Sequence, residues 1–517
     1  MHPRDHARTS PDKPACIMAS SGEVLTYRQL DEASNRTAQL FHRCGLRPGD
    51  MVGVLMHNCV RFLEVTWGAQ RSGLYYVSIP SAASDRELRY ILADPGARAL
   101  IYSSELGDVV RSATGGLPHV RLFPSGDASR PDSFESAIAA LPGEPIADEE
   151  AGQDMLYSSG TTGNPKGIKH PRPTGGIGEL TGVARLARDL YGMSSGSVYL
   201  CPAPLYHAAP LRFSMAALQL GGTLVIMEKF DPEKALAAIE RYRVTHAQWV
   251  PTHFARMLKL PAPVRERYDV SSLVSTFHAA APCPIEIKQQ MIDWWGPIVH
   301  EYYSSTELSG FTAATAEEWL ARKGTVGRAI MGKIRICDEA GEPLPPRSEG
   351  VIHFADATPI EYHNEPEKTR QATNKYGWTT VGDVGWVDEE GYLYLTDRKS
   401  FMIISGGVNI YPQEIENLLI EHPAVADAAV IGAPDPDLGE RVVAVVQPMD
   451  WSCAGDGLAS ELDRYLRANL SAVKLPKQID FLRELPRQPT GKLFKRLLRD
   501  SYRSAAPGDT ATPTIGG

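Results

Sequence analysis

The length, charge and composition of the chain exclude several classes of protein. It has 517 residues, and 53 lysines and arginines against 62 aspartates and glutamates give a formal net charge of −9. A nucleic-acid partner held through a basic surface is therefore disfavoured. With 43% hydrophobic and 22% charged residues, the composition is that of a globular protein rather than a disordered or collagen-like one. At about 100–200 residues per domain, we expect two to four compact units.

The cysteines and the N-terminal segment indicate the compartment. The seven cysteines are scattered and form no C-x-x-C pair, which argues against a disulfide framework or structural zinc and favours a reducing cytosol. Residues 1–8 are polar, and no stretch approaches the roughly 18 apolar residues of a membrane span. We predict a cytoplasmic protein without a transmembrane segment, and leave open peripheral contact with a membrane and a homodimeric state.

Helical and strand-like patterns alternate along the first 395 residues. Alternation of this kind predicts parallel sheets covered by helices, and the strand-like stretch Arg328–Phe354 predicts an additional β subdomain. The predicted elements are, in chain order, a helix from Leu25 to Phe41, a strand at Met51–Met56, a helix at Phe62–Ala69, strands at Tyr75–Pro80, Ala99–Tyr102 and Gly222–Met227, a helix at Pro232–Tyr242 and a strand at His246–Val250.

The pattern restarts after Asp397-Arg398. The elements predicted there are a strand at Phe401–Ile404, a turn at Gly406-Gly407, a helix opening at Tyr411-Pro412, strands at Ala426–Ala433 and Arg441–Pro448, and a helix at Ala459–Leu470. We therefore predict an α/β fold with a large N-terminal domain over residues 1–397, built of parallel and mixed sheets flanked by helices. A small α+β domain over 398–500 follows, and residues 501–517 are predicted to be a disordered tail.

The segment Ser158–Gly167 carries the clearest functional signal. Glycines let the backbone approach an anion, hydroxyls and amide N–H groups donate to phosphate oxygens, and a lysine adds charge. The spacing is not that of a P-loop, and the alternative is a flexible surface turn. The residues predicted to contact a polyphosphate are Ser158, Ser159, Gly160, Thr161, Thr162, Gly163 and Lys166.

This segment closely resembles the signature loop of adenylate-forming enzymes, the superfamily of acyl-CoA synthetases, luciferases and peptide-synthetase adenylation domains. The resemblance covers nearly the whole chain and implies a small C-terminal domain that is mobile. Six further matches follow in the family's order, at Leu205–His207, His278–Pro282, Tyr302–Glu307, Gly382–Gly385, Thr396–Lys399 and Pro489–Lys492.

The resemblance implies roles for the nucleotide site. Thr161 and Glu307 would act in catalysis, Glu307 as the ligand of Mg²⁺, for which a hard oxygen donor is suited; its alternative is a solvated loop carboxylate. The other residues implied are Glu301, Tyr302 and Tyr303 near the nucleotide base, Thr306 at the phosphates, and Asp383 and Arg398 at the ribose. For Asp383 an Asx-turn, and for Arg398 a surface salt bridge, remain the alternatives.

The resemblance also assigns roles within the small domain. Lys492 would be the catalytic lysine that stabilises the carboxylate and the α-phosphate, although most lysines in such a context are solvated surface charges. Ser405, Gly406 and Gly407 would lie beside the coenzyme A tunnel, which is compatible with a hairpin turn. Two residues depart from the family pattern. Ser400 occupies the hinge position, which is normally Asp or Lys, so the identity of the hinge is in question. Ile404 replaces the lysine that luciferase-like members use for their second, oxidative half-reaction, so that reaction is in question too.

The acyl pocket is predicted from small and aromatic residues. His207 occupies the gate position, and Trp249 lies in an apolar segment. Ala279, Ala280 and Ala281 would let a substrate lie against the backbone, with a tight core strand as an equal alternative. Amino-acid-activating relatives carry an aspartate near the gate, and none is present around His207, so an amino-acid substrate is disfavoured.

These features imply an ATP-dependent, AMP-forming ligase that uses Mg²⁺ and joins a hydrophobic carboxylic acid to coenzyme A, most similar to fatty-acid CoA ligases. Aryl and steroid side-chain acids stay open. A stand-alone enzyme that loads a carrier protein is one alternative, and we expect no carrier domain after Arg499. Ile404 disfavours a luciferase-like oxygenase. An inactive relative acting as a binding protein is disfavoured by the joint presence of Glu307, Asp383 and Lys492.

Overall fold

The structure is a computed structural model that describes residues 1–158, 165–398, 401–487, 493 and 495–504, with the backbone alone for Ser158, Arg503 and Ser504. The chain divides into two compact units. The first comprises Met1–Gln248, Glu266–Thr276 and Glu361–Arg370, and the second comprises Trp249–Arg265, Phe277–Ile360 and the described part of Gln371–Gly517.

The helices and strands are numbered in chain order. The helices are α1 (Pro3–Thr9), α2 (Tyr27–Arg43), α3 (Val60–Gln70), α4 (Asp85–Ala93), α5 (Gly107–Thr114), α6 (Phe134–Ala139), α7 (Gly182–Tyr191), α8 (Ala208–Gln219), α9 (Pro232–Tyr242), α10 (Pro251–Leu258), α11 (Ala262–Arg265), α12 (Ile285–Trp295), α13 (Ala316–Ala321), α14 (Pro366–Gln371), α15 (Pro412–Glu421), α16 (Asp456–Asn469) and α17 (Lys495–Ser504). The strands are β1 (Pro14–Met18), β2 (Val24–Thr26), β3 (Met51–Leu55), β4 (Tyr75–Ser78), β5 (Ala99–Ser103), β6 (Arg121–Ser125), β7 (Gln153–Ser158), β8 (Lys166–Lys169), β9 (Val198–Cys201), β10 (Thr223–Ile226), β11 (His246–Trp249), β12 (Ser275–His278), β13 (Val299–Ser304), β14 (Phe311–Ala314), β15 (Thr325–Met331), β16 (Lys333–Cys337), β17 (Gly350–Ala355), β18 (Asp383–Val387), β19 (Leu393–Arg398), β20 (Ile403–Ser405), β21 (Val408–Ile410), β22 (Val425–Asp435), β23 (Gly439–Pro448) and β24 (Gln478–Phe481).

The first unit contains a sheet in the order β6-β5-β3-β4-β7-β8. Its strands are parallel except β8, which runs antiparallel to β7. Every residue of β3, β4 and β5 is buried. Strands covered on both faces need continuous apolar sequence, and that is why the predicted strands at residues 51–56, 75–80 and 99–102 are confirmed to within two residues at each end.

A second run of strands in the first unit follows the order β2-β1-β10-β9-β11. Here too the pairs are parallel, apart from β1 with β2. The polar N-terminal residues form α1, a helix that the sequence patterns did not predict. His2 and Asp5 form a capping box there, and the buried His2 ring lies edge-on to Trp67 with the ring centroids 5.0 Å apart. Capping, rather than apolar periodicity, specifies this short helix.

The second unit contains antiparallel strands in the order β13-β14-β15-β19-β18-β17-β16. The predicted all-β stretch Arg328–Phe354 is confirmed, because it spans most of β15 together with β16 and most of β17. Val326, Ile336, Ile352, Phe354 and Leu393 form the core of this part.

The C-terminal part of the second unit is a small α+β arrangement. Strands β21-β20-β23-β22 pair antiparallel, and β24 runs parallel to β23. One face of β22 and β23 packs on α15 and α16, and the other carries Leu498 and Tyr502 of α17. The predicted class, a mixed α/β fold with a smaller C-terminal domain, is thus confirmed. Helix α17 continues to Ser504, four residues into the predicted tail, and residues 505–517 lie outside the described residues.

None of the helices in the described parts of the chain combines the length and apolar character needed to cross a membrane.

Candidate active site

The predicted phosphate loop is carried by a β-hairpin. Strands β7 and β8 pair antiparallel with Ser158 opposite Lys166, so the chain leaves and re-enters the sheet at adjacent positions. The Lys166 ammonium lies 4.8 Å from the centroid of the Tyr362 ring, a cation–π distance. The predicted residues Ser159, Gly160, Thr161, Thr162 and Gly163 lie outside the described residues. Their contacts with phosphate therefore stay predictions.

A buried ion pair connects this hairpin to the predicted substrate gate. Arg212 of α8 donates from Nε to Oδ2 of Asp154 on β7 at 3.0 Å, and its Nη2 lies 2.8 Å from the same oxygen as an ion pair. The side chains are only 10% and 6% exposed. Because a buried charge is costly without a partner, this pair holds α8 against β7. His207 is the N-cap residue of α8, and its ring lies 4.5 Å from that of Tyr206. The Asp154–Arg212 ion pair therefore joins the helix that begins at the predicted gate to the strand that leads to the phosphate loop.

In the second unit, three of the predicted ribose and base residues meet. Asp383 and Arg398 are paired across β18 and β19. Tyr303 of β13 donates its hydroxyl to Asp383 Oδ2 at 2.7 Å, and Arg398 Nε lies 2.7 Å from Asp383 Oδ1. We call these three side chains the Asp383 cluster. Both contacts come from residues distant in sequence, which distinguishes Asp383 from the local Asx-turn considered for it.

The charges in the Asp383 cluster are mutually dependent. The carboxylate of Asp383 raises the pKa of the Arg398 guanidinium, and burial together with the same carboxylate raises the pKa of Tyr303. Arg398 therefore stays a cation and Tyr303 stays a neutral donor at neutral pH. The Asp383 carboxylate is thereby held in place by one donor on each oxygen.

The two residues before Tyr303 are engaged in contacts of their own. Glu301 accepts from Lys288 Nζ at 2.7 Å inside the protein. Burial raises the pKa of Glu301 and lowers that of Lys288, and their attraction opposes both shifts. The Tyr302 ring stacks on Phe311 at 4.9 Å. The Glu301 carboxylate is thus paired within the protein. The contact with the nucleotide base implied for Glu301, Tyr302 and Tyr303 stays a prediction.

Glu307, the residue implied as a metal ligand, follows β13 in a tight turn. Leu308 has a left-handed φ of 51°, and its N–H donates to Ser305 O at 3.1 Å. Glu307 itself is 7% exposed, and Thr306 precedes it. In the described ranges, no group of three or more His, Cys, Asp or Glu side chains is arranged to hold a metal ion. One carboxylate suits Mg²⁺ in this chemistry, because that ion is usually bound by one or two carboxylates together with substrate phosphates.

The residues of the predicted acyl pocket have different environments. Trp249 is 1% exposed, and its ring packs on Phe254 and Trp295 with centroids 6.2 and 5.6 Å away. Ala279 is also buried, and its N–H donates to Trp249 O at 3.3 Å. Ala280 and Ala281 are exposed, and Ala280 has a φ of 77°. Strand β12 ends at His278, so the core-strand alternative does not hold for Ala280 and Ala281. The left-handed backbone costs roughly 1–2 kcal/mol there.

The predicted coenzyme A segment is a two-residue hairpin turn. Ser405 and Val408 are register partners in β20 and β21, and Gly406 and Gly407 between them have φ values of 56° and 81°. Two successive positive φ values are what a type I′ turn requires, so the predicted hairpin is confirmed. Ser400 and Lys492, the predicted hinge and catalytic lysine, lie outside the described residues. The roles in coenzyme A binding, hinge motion and catalysis stay predictions.

Several residues that organise these places were not predicted from the sequence. Asp154 and Arg212 left a signal, since each is a charge inside an otherwise apolar segment. Tyr362 left none, because its bridge to Ile168 joins segments far apart in the chain. The same applies to Lys288, which only the fold brings to Glu301.

Comparison with known proteins identifies the family. The chain matches the family model described as "AMP-binding enzyme" over residues 3–359 and the one described as "AMP-binding enzyme C-terminal domain" over residues 414–492. It is 32% identical over 514 residues to the long-chain-fatty-acid–CoA ligase FadD13 of Mycobacterium tuberculosis, covering 98% of each chain. It is 33% identical over 505 residues to a feruloyl-CoA synthase of Amycolatopsis, covering 97% of this chain and 98% of the relative.

A solved structure agrees with this assignment. The structure of ATP-bound MatB from Rhodopseudomonas palustris superposes with a TM-score of 0.80 at 27% identity, covering 98% of this chain and 99% of that one. The chain therefore belongs to the AMP-binding enzyme family within the adenylate-forming superfamily, and is of the acyl-CoA synthetase type.

Proposed function

We propose that the protein activates a hydrophobic carboxylic acid with MgATP and transfers the acyl group to coenzyme A. The observation that carries this proposal is the Asp383 cluster, whose carboxylate is held by Tyr303 and Arg398 at 2.7 Å each. An ionised carboxylate has about four lone-pair directions. Two therefore stay available for the two hydroxyls of a ribose.

The reaction proceeds in two steps. An oxygen of the substrate carboxylate attacks the α-phosphorus of ATP, the bond to the bridging oxygen breaks, and pyrophosphate leaves with that electron pair. The thiolate of coenzyme A then attacks the acyl carbon, and AMP leaves as the carbon–oxygen bond breaks. A carboxylate is a poor electrophile at neutral pH, and the adenylate supplies the leaving group that it lacks.

The protein contributes mainly position and charge. Asp383 and Arg398 would orient the ribose, and Ser158–Gly163 with Lys166 would supply hydrogen-bond donors and positive charge to the phosphates. Glu307 would supply an anionic oxygen to Mg²⁺, and Lys492 would provide a cation where negative charge builds up. Magnesium, when bound, neutralises phosphate charge.

The hydrophobic character of the acid is supported by the apolar residues beside each predicted pocket position, taken within its own unit. Helix α8, which begins after His207, buries most of its residues, and Trp249 is enclosed by aromatic rings. The named relatives act on a long-chain fatty acid and on ferulate, acids without an α-ammonium. Sites for alkyl or ring systems are lined mainly by apolar side chains.

Coenzyme A is favoured as the acceptor through the turn at Gly406 and Gly407, where the absence of side chains lets a pantetheine arm pass close to the backbone. Transfer to a carrier protein is the alternative. Peripheral contact with a membrane, where an apolar acid accumulates, is a further proposal, and dimer formation is proposed from the family resemblance alone.

The test is pyrophosphate release from ATP with a panel of acids, with and without coenzyme A. The panel runs from acetate to palmitate and includes aryl and steroid acids, with amino acids as the negative set. We expect acid-dependent release, turnover only with coenzyme A, and kcat/KM that varies by at least about tenfold across the panel, or roughly 1.4 kcal/mol. Equal kcat/KM values across the panel would contradict the predicted acyl pocket. Multiple turnovers with a carrier protein but not with coenzyme A would show that the carrier protein is the acceptor.

A further inference from the structure

A segment from late in the chain contacts the strand that follows the phosphate loop. Strand β8 is the last strand of its sheet, and Ile168 in it is the antiparallel bridge partner of Tyr362. The N–H of His363 donates to the carbonyl oxygen of Gly167 at 2.8 Å. We call residues 362–364 the Tyr362 segment. It covers part of a sheet edge that would otherwise present unpaired backbone groups.

The Tyr362 segment is also connected to the strand that precedes the loop. Asn364 donates from Nδ2 to the backbone oxygen and to Oδ1 of Asp94, at 3.0 and 3.1 Å. Tyr157 of β7 donates its hydroxyl to Oδ2 of the same carboxylate at 2.6 Å. All of these residues lie in the first unit, which includes Glu361–Arg370. The segment therefore contacts β8 directly and β7 through Asp94.

The ring of Tyr362 forms a fixed surface beneath a lysine of the predicted phosphate site. Tyr362 is 5% exposed, and its backbone N–H donates to Oγ1 of Thr369 at 3.0 Å. Its ring centroid lies 4.8 Å from the ammonium of Lys166, the first residue of β8. A lysine side chain is flexible when nothing contacts it. The buried ring therefore restricts where the Lys166 ammonium lies.

An aromatic ring is a suitable partner for a lysine that has to bind phosphate. A carboxylate would cancel the charge of the ammonium, whereas a ring face attracts the cation and leaves its charge in place. The ring also removes rotamer freedom that the lysine would otherwise lose when ATP binds. Strand β8 contains a second contact of this kind, since the Lys169 ammonium lies 4.7 Å from the centroid of the Tyr75 ring. Position beside the phosphate loop, rather than the contact itself, distinguishes Lys166.

We propose that Tyr362 is a positioning residue for Lys166 and holds its ammonium ready for the phosphates of ATP. The effect is exerted on the Lys166 side chain itself, through the face of the Tyr362 ring. It concerns the affinity for ATP and not the affinity for the acid. The inference rests on the proposed function, since it assumes that Lys166 contacts the phosphates of ATP.

The experiment measures ATP binding and turnover in matched variants of the full chain. Titration calorimetry with MgATP in the absence of acid gives Kd, and acid-dependent pyrophosphate release gives kcat and the KM values for ATP and for the acid. The variants at the contact are Tyr362→Leu, Tyr362→Phe, Lys166→Met and the double variant Tyr362→Leu with Lys166→Met.

Two further sets of variants serve as controls. Phenylalanine with an increasing number of ring fluorines, incorporated at position 362, keeps the shape of the ring while its negative face weakens. Tyr75→Leu and Lys169→Met remove the comparable contact at the other end of β8. The unfolding temperature of every variant records any loss of stability separately.

We expect Tyr362→Leu to raise Kd and KM for ATP by about three- to tenfold, with kcat and KM for the acid within about twofold of the parent. Tyr362→Phe should bind ATP like the parent, because it keeps the ring face, and Kd should rise with each added fluorine. In the Lys166→Met background, Tyr362→Leu should have no further effect on Kd, since the two residues act as one. Tyr75→Leu and Lys169→Met should leave Kd for ATP unchanged.

The outcomes separate the inference from the function beneath it. If Kd for ATP stayed constant across the fluorinated series, or if the effects of Tyr362→Leu and Lys166→Met were additive, Tyr362 would act through packing alone and the inference would be wrong. Normal ATP binding by Lys166→Met would overturn both the phosphate contact of that lysine and its positioning, with turnover of the parent unaffected. Absence of acid-dependent pyrophosphate release in the parent would refute the proposed function itself, whereas calorimetry with ATP would still decide the inference.

Discussion

The Asp383 carboxylate already accepts one donor on each oxygen and is proposed to accept two more from a ribose. Replacing it by asparagine leaves one acceptor oxygen and brings an NH₂ group to face Tyr303 or Arg398. We predict that Asp383→Asn raises KM for ATP by at least about tenfold, because a hydrogen bond to a charged group contributes roughly 1.5–3 kcal/mol. Steady-state kinetics at varied ATP checks this.

Asp388 provides the matched control, because it lies on the same β18–β19 hairpin. Its Oδ1 accepts from the N–H groups of Glu390 and Tyr392 at 3.0 and 2.9 Å, as in a local turn. Asparagine retains that oxygen, so Asp388→Asn should leave KM for ATP unchanged. Equal effects of the two variants would show that the hairpin, rather than the carboxylate at 383, is what matters.

Glu307 tests the metal assignment. An amide oxygen lacks the charge that a carboxylate offers to a divalent cation. We predict that Glu307→Gln shifts the magnesium concentration for half-maximal pyrophosphate release upward by about tenfold or more. Titration of the rate with Mg²⁺ at fixed ATP provides the measurement, and an unchanged midpoint would remove Glu307 from the metal site.

Among the secondary-structure elements, those with a strong period were predicted and those specified by tertiary contacts were not. Helix α9 matches its predicted bounds, Pro232–Tyr242, because its apolar residues recur at helical spacing. Phe401, in contrast, was predicted to begin a strand, whereas β20 begins at Ile403. The ring of Phe401 lies under Lys495, a contact that no local pattern encodes.

The turn at Gly406 and Gly407 allows a prediction at this scale. A Cβ at Gly407 meets no heavy atom within 4 Å, so alanine fits in space and is disfavoured only by the φ of 81°. We predict that Gly407→Ala slows coenzyme A-dependent thioester formation several-fold, while adenylate formation stays near the parental rate. Pyrophosphate release in a single turnover measures adenylate formation, and coenzyme A-dependent consumption of supplied acyl-adenylate measures thioester formation.

Gly457 of α16 is the control for the turn, since a Cβ there also meets nothing within 4 Å and its φ is not positive. Alanine is favoured over glycine within a helix by up to about 1 kcal/mol. Gly457→Ala should therefore unfold at the same or a higher temperature and run both half-reactions normally. A Gly407→Ala variant equal to it in every respect would argue against a role of the turn in coenzyme A binding.

At the scale of the whole molecule, the family and the types of site residue could be predicted because short motifs occur in a fixed order. The sequence could not predict which charges are already engaged. Glu301 and Asp383 are both acids within recognisable motifs, and each is paired with a cation, Glu301 with Lys288 and Asp383 with Arg398. The Glu301–Lys288 pair depends on α12 packing beside β13, a contact between elements rather than a local pattern.

The predicted pivot at Ser400 lies between two anchored residues. On one side Arg398 is paired with Asp383, and on the other Phe401 lies under the Lys495 ammonium. Asp397 adds a contact across the predicted domain boundary, since its Oδ2 accepts from the N–H of Gln413 at 3.0 Å in the first turn of α15. A rotation of the small domain at residues 399 and 400 would have to break this hydrogen bond.

Ser400→Pro tests this location of the pivot. Proline fixes φ near roughly −65° and restricts the residue before it, so it should favour one orientation of the small domain. We predict that one half-reaction is slowed by at least about tenfold while the other continues at a near-parental rate. Ser400→Ala keeps backbone freedom and should run both half-reactions normally, which separates loss of rotation from loss of the hydroxyl. If a folded Ser400→Pro variant ran both half-reactions at parental rates, the rotation would have to occur at other residues, and the anchors at Arg398 and Phe401 could not be the limits of the moving part.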